Sequence, residues 1–259
     1  MNVVKPFPEL LESLRAHGLR KGLPGPMDGP MQRPRAIPTG HPGLDAALRS
    51  GGWPRGSLAL LDASAGSGAT SLALGSLAAC QAAGGLVAYL DAAGSLDPAT
   101  AARLGIDLEW LLVVRPADAA EAVELAGWLA RERRIDAMVL DLAGSVATRA
   151  LERLASLLVR SDGVTLLLTG VAGAGRGAAG VRVALRRRAW LAVGQDLVGQ
   201  RVEAVVERHR WALAGGRAEL DLYFPEGRRV DALLRSAAAP LEQEREAQHE
   251  LPALHVVSA

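Results

Sequence analysis

The ten residues Asp62-Ala-Ser-Ala-Gly-Ser-Gly-Ala-Thr-Ser71 carry the spacing of a phosphate-binding loop without its cation. A working loop of the form G-x-x-x-x-G-K-[ST] cradles phosphates with successive backbone N–H groups. Its lysine neutralises the β- and γ-phosphates and its hydroxyl holds magnesium. Here Ala63 stands at the first glycine and Ala69 at the lysine, while Gly68 and Thr70 keep their places. Asp62 adds a negative charge just before the turn. Gly66, Ser67, Gly68, Thr70 and Ser71 therefore read as a vestigial nucleotide-binding loop that has kept its shape and lost its charge chemistry. Backbone amides at a helix N-terminus still attract an anion, so weak binding of ATP with magnesium stays open. Beside it stands a plainer reading, a tight strand-to-helix turn built from small residues. Neither a firmly held cofactor nor a metal is expected.

A second group of candidate residues is cationic. Arg176, Arg182 and the run Arg186-Arg187-Arg188 lie within or just after the glycine-rich stretch Ala172-Gly-Ala-Gly-Arg-Gly-Ala-Ala-Gly180. A flexible glycine loop flanked by arginines could fit itself to a phosphate backbone. The alternative is a solvated arginine face or a protein-docking surface, since no aromatic residue inside the loop offers a base-stacking platform. Arg131, Arg133 and Arg134 close a predicted helix and need nothing beyond a favourable dipole interaction.

The elements that must position these groups follow from periodicity. Strands are expected at 58–61, 86–90, 111–114, 137–141 and 164–169, and helices at 70–83, 98–104, 118–133 and 148–160. Short apolar strands separated by helices of this length specify an α/β fold, a mostly parallel twisted sheet with helices on both faces. Beyond Arg188 the pattern changes to Trp190–Val193, Arg201–Arg210 and Ala218–Phe224, expected as antiparallel strands at one edge. Residues 1–36 read as a helix carrying Leu10, Leu11, Leu14 and Leu19, followed by a Gly- and Pro-rich linker. That apolar stripe either folds back onto the body or docks on another protein. The core is expected over 37–236, and 237–259 as a mobile acidic tail.

Composition sets further bounds. A chain of 259 residues with 49% hydrophobic content holds one large core. Its one cysteine, Cys80, excludes an internal disulfide and suits a reducing compartment. With no signal region and no apolar run of membrane-spanning length, a cytoplasmic protein is expected. The net charge of +1 conceals an acidic tail in which Glu242, Glu244, Glu246 and Glu250 outweigh Arg245. A mildly basic body permits nucleic-acid contact without requiring it.

Four segments in register with this alternation resemble the RecA recombinase core: Ile37-Pro-Thr-Gly-His-Pro-Gly-Leu-Asp through Trp53-Pro-Arg-Gly56, the loop above, Tyr89-Leu-Asp91, and Leu96-Asp-Pro-Ala-Thr-Ala-Ala-Arg-Leu-Gly-Ile-Asp107. The resemblance implies a P-loop core from which the ATPase has been dismantled. Ala93 falls at the glutamate that activates water, Thr100 at the tyrosine that stacks on adenine, and Gly170 at the glutamine that senses the γ-phosphate. Asp141 matches the magnesium-associated carboxylate, with a strand-end cap of the next turn as its alternative. Between Asp141 and the following helix there is no room for the first DNA-binding loop, and the second is reduced to 172–180. Arg208 and Arg210 flank His209 where the family has lysines reaching a neighbouring subunit. They would meet a partner's acidic surface or remain exposed strand charges. Loss of hydrolysis, adenine stacking and DNA loops is similar to the ImuA family of mutagenesis accessory proteins. That likeness implies a non-enzymatic protein of the SOS response and translesion synthesis, bound to RecA and a polymerase-like partner and at the nucleoid when engaged. A DNA-binding regulator of recombination and a residual ATP switch are the alternatives.

Overall fold

The computed structural model describes residues 36–63, 66–171, 173–224 and 254–258. The proposed partner helix with Leu10, Leu11 and Leu14 lies outside them.

A two-residue ribbon opens the described chain, β1 (Ala36–Ile37) antiparallel to β2 (Trp53–Pro54), with α1 (Pro42–Leu48) between them. This helix was not among the elements expected from the sequence. It starts on a proline, whose fixed φ suits the first turn, and ends at Arg49 in the left-handed region. Trp53 is fully buried and its indole N–H donates to Ser76 Oγ at 3.0 Å, which fastens the ribbon to the core.

The alternation then unfolds as the apolar runs require: β3 (Ser57–Ala63), α2 (Ala69–Ala82), β4 (Val87–Asp91), α3 (Pro98–Arg103), β5 (Leu111–Val114), α4 (Ala119–Glu132), β6 (Ala137–Leu142), α5 (Thr148–Ser161) and β7 (Val164–Thr169). Every residue of β4 and of β6 is buried, as strands covered on both faces demand. Two helix starts are fixed by side chains: Asp97 caps α3 and Asp118 caps α4, each accepting from two backbone N–H groups. In α5, Leu151, Leu154 and Leu158 form the buried stripe and arginines occupy the outer face.

The remaining strands are β8 (Val181–Val193), β9 (Asp196–His209), β10 (Arg217–Tyr223) and β11 (Leu254–Ser258). Sheet order is β10-β9-β8-β3-β7-β6-β4-β5, with β11 antiparallel to β8. β8 runs parallel to β3, and β9 and β10 are antiparallel, so the expected mixed sheet with an antiparallel edge is present. The step from β3 to β4 moves along the sheet in the opposite direction from the steps β5 to β6 and β6 to β7. Right-handed crossovers therefore put α2 on one face and α4 and α5 on the other.

Two expectations need correction. The strand foreseen at Trp190–Val193 is the last part of β8, which begins at Val181, so Arg182 and Arg186–Arg188 are strand residues rather than an extension of a loop. The tail foreseen as mobile contains β11, whose Leu254–Ser258 pair with Val193–Ala189.

Candidate functional site

The carboxyl ends of β3, β6 and β7 open on the same side, at the point where the crossovers diverge, which is the usual ligand position of an open α/β sheet. A cleft of about 560 Å3 lies there. Its floor is the turn Gly66–Ser71, and its walls include Asp141, Thr169, Gly170, Arg187, Trp190, Gln200 and Phe224. The vestigial loop residues and Asp141 are thus brought together, with Gly170 beside them.

The turn itself needs glycine. Gly66 has φ 75° and Gly68, the N-cap of α2, has φ 89°, both in the left-handed region. The turn is also met by a side chain from far along the chain. With its carboxamide assigned the orientation that its neighbours require, nitrogen towards Gly66 O and oxygen towards Gly68 N, Gln200 of β9, 5% exposed, donates at 2.9 Å and accepts at 3.2 Å. One backbone donor that a phosphate would use is therefore already paired. Leu222 of β10 closes in beside it, so closely that a Cβ on Gly68 would stand 2.4 Å from Leu222 Cδ1.

The lysine position, Ala69, offers no charge, but a cation approaches from the opposite wall. Arg187 of β8 lies with its guanidinium 4.2 Å from the centre of the Trp190 ring and Nη1 3.4 Å from Gly66 O. Trp190 in turn faces Phe224 at 6.3 Å between ring centres. Arg187 was foreseen as one arginine of a surface run, and its turn towards the loop was not. Neither Gln200 nor Trp190 was foreseen at the site. No signal in the sequence marked either, since β8 and β9 carry several charged residues besides them.

Asp141 is 9% exposed and its Oδ2 accepts from Tyr89 Oη at 2.8 Å and from Ser95 Oγ at 2.6 Å. Those hydroxyls replace the turn cap expected as the alternative role of this carboxylate. Burial, followed by the neighbouring Asp141 charge, pushes the Tyr89 phenol well above its ordinary value, so it remains a donor. In register beside Asp141 on β4, Asp91 accepts from Ser95 N at 2.8 Å and faces Arg115 at 3.6 Å. Ala93 is exposed on the bend after β4 and carries no base. Thr100 is engaged at the start of α3, where its hydroxyl donates to Asp97 at 2.5 Å. That bond is the main cause holding the Asp97 carboxyl below its usual range.

A family model described as the RecA N-terminal domain matches residues 28–157. RecA proteins match over a longer stretch: that of Thermus thermophilus is 31% identical over 236 residues, 76% of this chain and 69% of the relative. The chain belongs to the RecA family. RecA of Wolinella succinogenes is 31% identical over 236 residues, covering 76% of this chain and 67% of its own, and RecA of Bifidobacterium breve 30% over 237 residues, covering 77% and 60%. The match thus spans about 60% to 69% of the length of these RecA proteins.

Against that family core, the candidate arginines are dispersed, and all but Arg186 are engaged within the fold. The glycine-rich segment expected to be flexible is pinned: Arg176 Nη2 donates to Asp62 Oδ2 at 2.5 Å, and Arg208 Nη1 donates to the carbonyls of Arg176 and Gly177 at 3.3 and 3.4 Å. Arg182 pairs with Glu207 at 2.8 Å across the β8–β9 ladder. Arg188 pairs with Glu203, which also meets Arg217 at 3.2 Å, and the Arg188 hydrogen bond lowers the Glu203 carboxyl below its usual range. A register shift between Arg187 and Ala189 lets Arg186, Arg187 and Arg188 all stand exposed, although strand residues ordinarily alternate. Arg210 stacks at 5.8 Å on Trp211. Among the described residues no group of three or more His, Cys, Asp or Glu is placed to hold a metal ion, and no helix is long and apolar enough to cross a membrane.

Proposed function

We propose that this RecA-family chain is a non-catalytic accessory protein of the DNA damage response, most like the ImuA family, working by binding RecA or a polymerase-like mutagenesis partner. The observation that carries this reading is the Gln200 amide seated on Gly66 and Gly68, the backbone that would otherwise cradle phosphate. A magnesium–nucleotide would find no lysine at position 69, no carboxylate at 93, one loop amide already paired and the Asp141 oxygen Oδ2 holding two hydroxyls. That is a poor fit, and no hydrolytic step is assigned to these residues. With phosphate handling given up, the family surface that remains is one for meeting other proteins.

The reading is tested by surface plasmon resonance of the full chain against purified RecA and a polymerase-like partner, each with and without ATP and magnesium. Saturable binding to either, unaltered by nucleotide, is expected. Binding to neither would contradict it.

A second reading rests on Arg187, which returns a cation to the mouth of the cleft. On this reading the cleft is a residual anion switch, in which a phosphate group displaces Gln200 and pairs with Arg187. An ATP-dependent change in partner affinity that disappears in Arg187→Ala would favour it.

A further inference from the structure

The two sides of β8 are unequally paired. β9 accompanies it from Val181 to Val193, whereas β3 pairs with Val181–Leu185 only and then leaves at Ala63 for the turn into α2. From Arg186 onward the β3 side of β8 is an edge. Such an edge presents unpaired N–H and C=O groups and invites another strand, unless charge or a covering element protects it. Both protections are used, on different residues. Arg186, Arg187 and Arg188 are exposed, and among the described residues no strand pairs with them on that side. Ala189-Trp-Leu-Ala-Val193 carries no charge, and there β11 is seated, with Leu254 opposite Val193 and Ser258 opposite Ala189.

β11 is a slight cover. It has 5 residues, and among the described residues β8 is its one strand neighbour. It also stops short of the arginines, of which Arg186 has neither an ion pair nor a side-chain hydrogen bond among the described residues. A strand that paired with the same stretch and ran about two residues further would keep every backbone bond of β11 and bring a carboxylate within reach of Arg186. Opposite charges on neighbouring strands stabilise the pairing.

We infer that Ala189–Val193 is a strand-docking edge that exchanges β11 for an extended segment of a partner protein, uncharged and rich in β-branched residues where it pairs and acidic just after. In strand addition of this kind main-chain bonds supply affinity and alternate side chains supply selectivity. The sequence Leu254-His-Val-Val-Ser258 has the composition of the uncharged part and lacks the acidic one. β11 is thus a tethered competitor. Being part of the same chain, it competes at an effective concentration of the order of millimolar, so only a strand with additional contacts displaces it. Trp190, on which Arg187 stacks, lies within the paired stretch, so the docked strand borders the cleft.

The test is fluorescence anisotropy of a labelled peptide, Leu-His-Val-Val-Ser-Asp-Asp, with the full chain and with variants of it. In Val256→Pro/Val257→Pro one of the two changes removes an N–H facing β8, since alternate residues of a strand address the same neighbour. In Val193→Cys/Leu254→Cys a disulfide between directly opposite residues holds β11 in place, while Cys80 is buried. If β11 fills the edge about nine-tenths of the time, the proline variant binds the peptide about tenfold more tightly than the wild type. The oxidised cysteine variant does not bind, and reduction restores binding. Adding Arg186→Glu to the proline variant weakens the peptide about fivefold and leaves unchanged one with serines in place of the aspartates. Circular dichroism checks that the proline variant is folded; where it is not, the oxidised and reduced cysteine forms decide alone. The inference is overturned if the oxidised form binds as well as the reduced one, if a folded proline variant binds no peptide, or if Arg186→Glu affects both peptides alike. A disulfide formed between two chains rather than within one would make a second copy the occupant and overturn it too. A partner protein is presupposed by the protein-binding reading above, but edge and peptide are measured without one, so the two fail separately.

Discussion

Gln200 and Gly68 are joined by a hydrogen bond of 3.2 Å that ties the middle of β9, an antiparallel strand between β10 and β8, to the turn at the head of α2. A turn made to receive phosphate presents N–H groups that need an acceptor, and here a carboxamide of the same chain supplies one. The same carboxamide donates to Gly66 O at 2.9 Å, so both ends of one side chain are used on one turn. The turn at Gly66–Gly68 thus has a partner within the fold.

Replacing Gln200 by leucine keeps the volume and removes both bonds. Gly68 N–H and Gly66 O would then lose their side-chain partner, with Gly66 exposed and Gly68 half-buried, a loss of about 0.5–1.5 kcal/mol. Urea denaturation followed by far-ultraviolet circular dichroism measures it as a lower midpoint with an unchanged slope. An unaltered midpoint would mean that solvent satisfies the turn as well as Gln200 does.

Tyr89→Phe removes one of the two hydroxyls on Asp141 and should cost about 1–2 kcal/mol. The wild type makes a related prediction at high pH. A phenol held above its ordinary value binds its proton more tightly folded than unfolded, so stability is unaffected below pH about 10 and declines as the pH rises beyond it. Of the two tyrosines, a spectrophotometric titration of the native protein should find Tyr89 resistant to ionisation until unfolding exposes it.

His209 sets a dependence at the acid side. Burial lowers its pKa below the ordinary 6.5, and its Nδ1 accepts from Trp211 N at 3.2 Å, which requires that nitrogen to be unprotonated. The unfolded chain then binds the proton more readily than the folded one, so stability is full above pH about 6.5 and falls as the pH drops through that value. Melting temperatures between pH 8 and 5 should decline in the wild type and flatten in His209→Gln over the upper part of that range. Equal slopes in the two would remove His209 from the account.

The parallel half of the sheet was legible because it is local. Each apolar run between Leu58 and Thr169 is bounded by its own turn or cap, as Asp97 and Asp118 illustrate. The loop residues and Asp141 were expected together through the resemblance to the RecA core, and the converging strand ends gather them. What could not be read depends on pairing across the antiparallel edge. Arg182 meets Glu207 and Arg188 meets Glu203 only once the register of β8 on β9 is fixed, and that register contains three shifts. The run Arg186–Arg188 therefore read as a basic patch, while the fold neutralises one of its arginines and turns another onto Trp190. Gln200 carries no periodic signal at all. Nor did α1, since Pro42-Gly-Leu-Asp-Ala-Ala-Leu48 begins with two residues that ordinarily mark turns.

The central claim is that this cradle is filled from within and does not bind nucleotide productively. It is tested most directly by isothermal titration of the full-length protein with ATP and magnesium at near-millimolar ligand, run beside a phosphate-release assay. The account predicts no measurable heat and no turnover. Micromolar binding or release of phosphate would contradict it, and would mean that Gln200 yields its place and that Arg187 serves as the cation missing at Ala69.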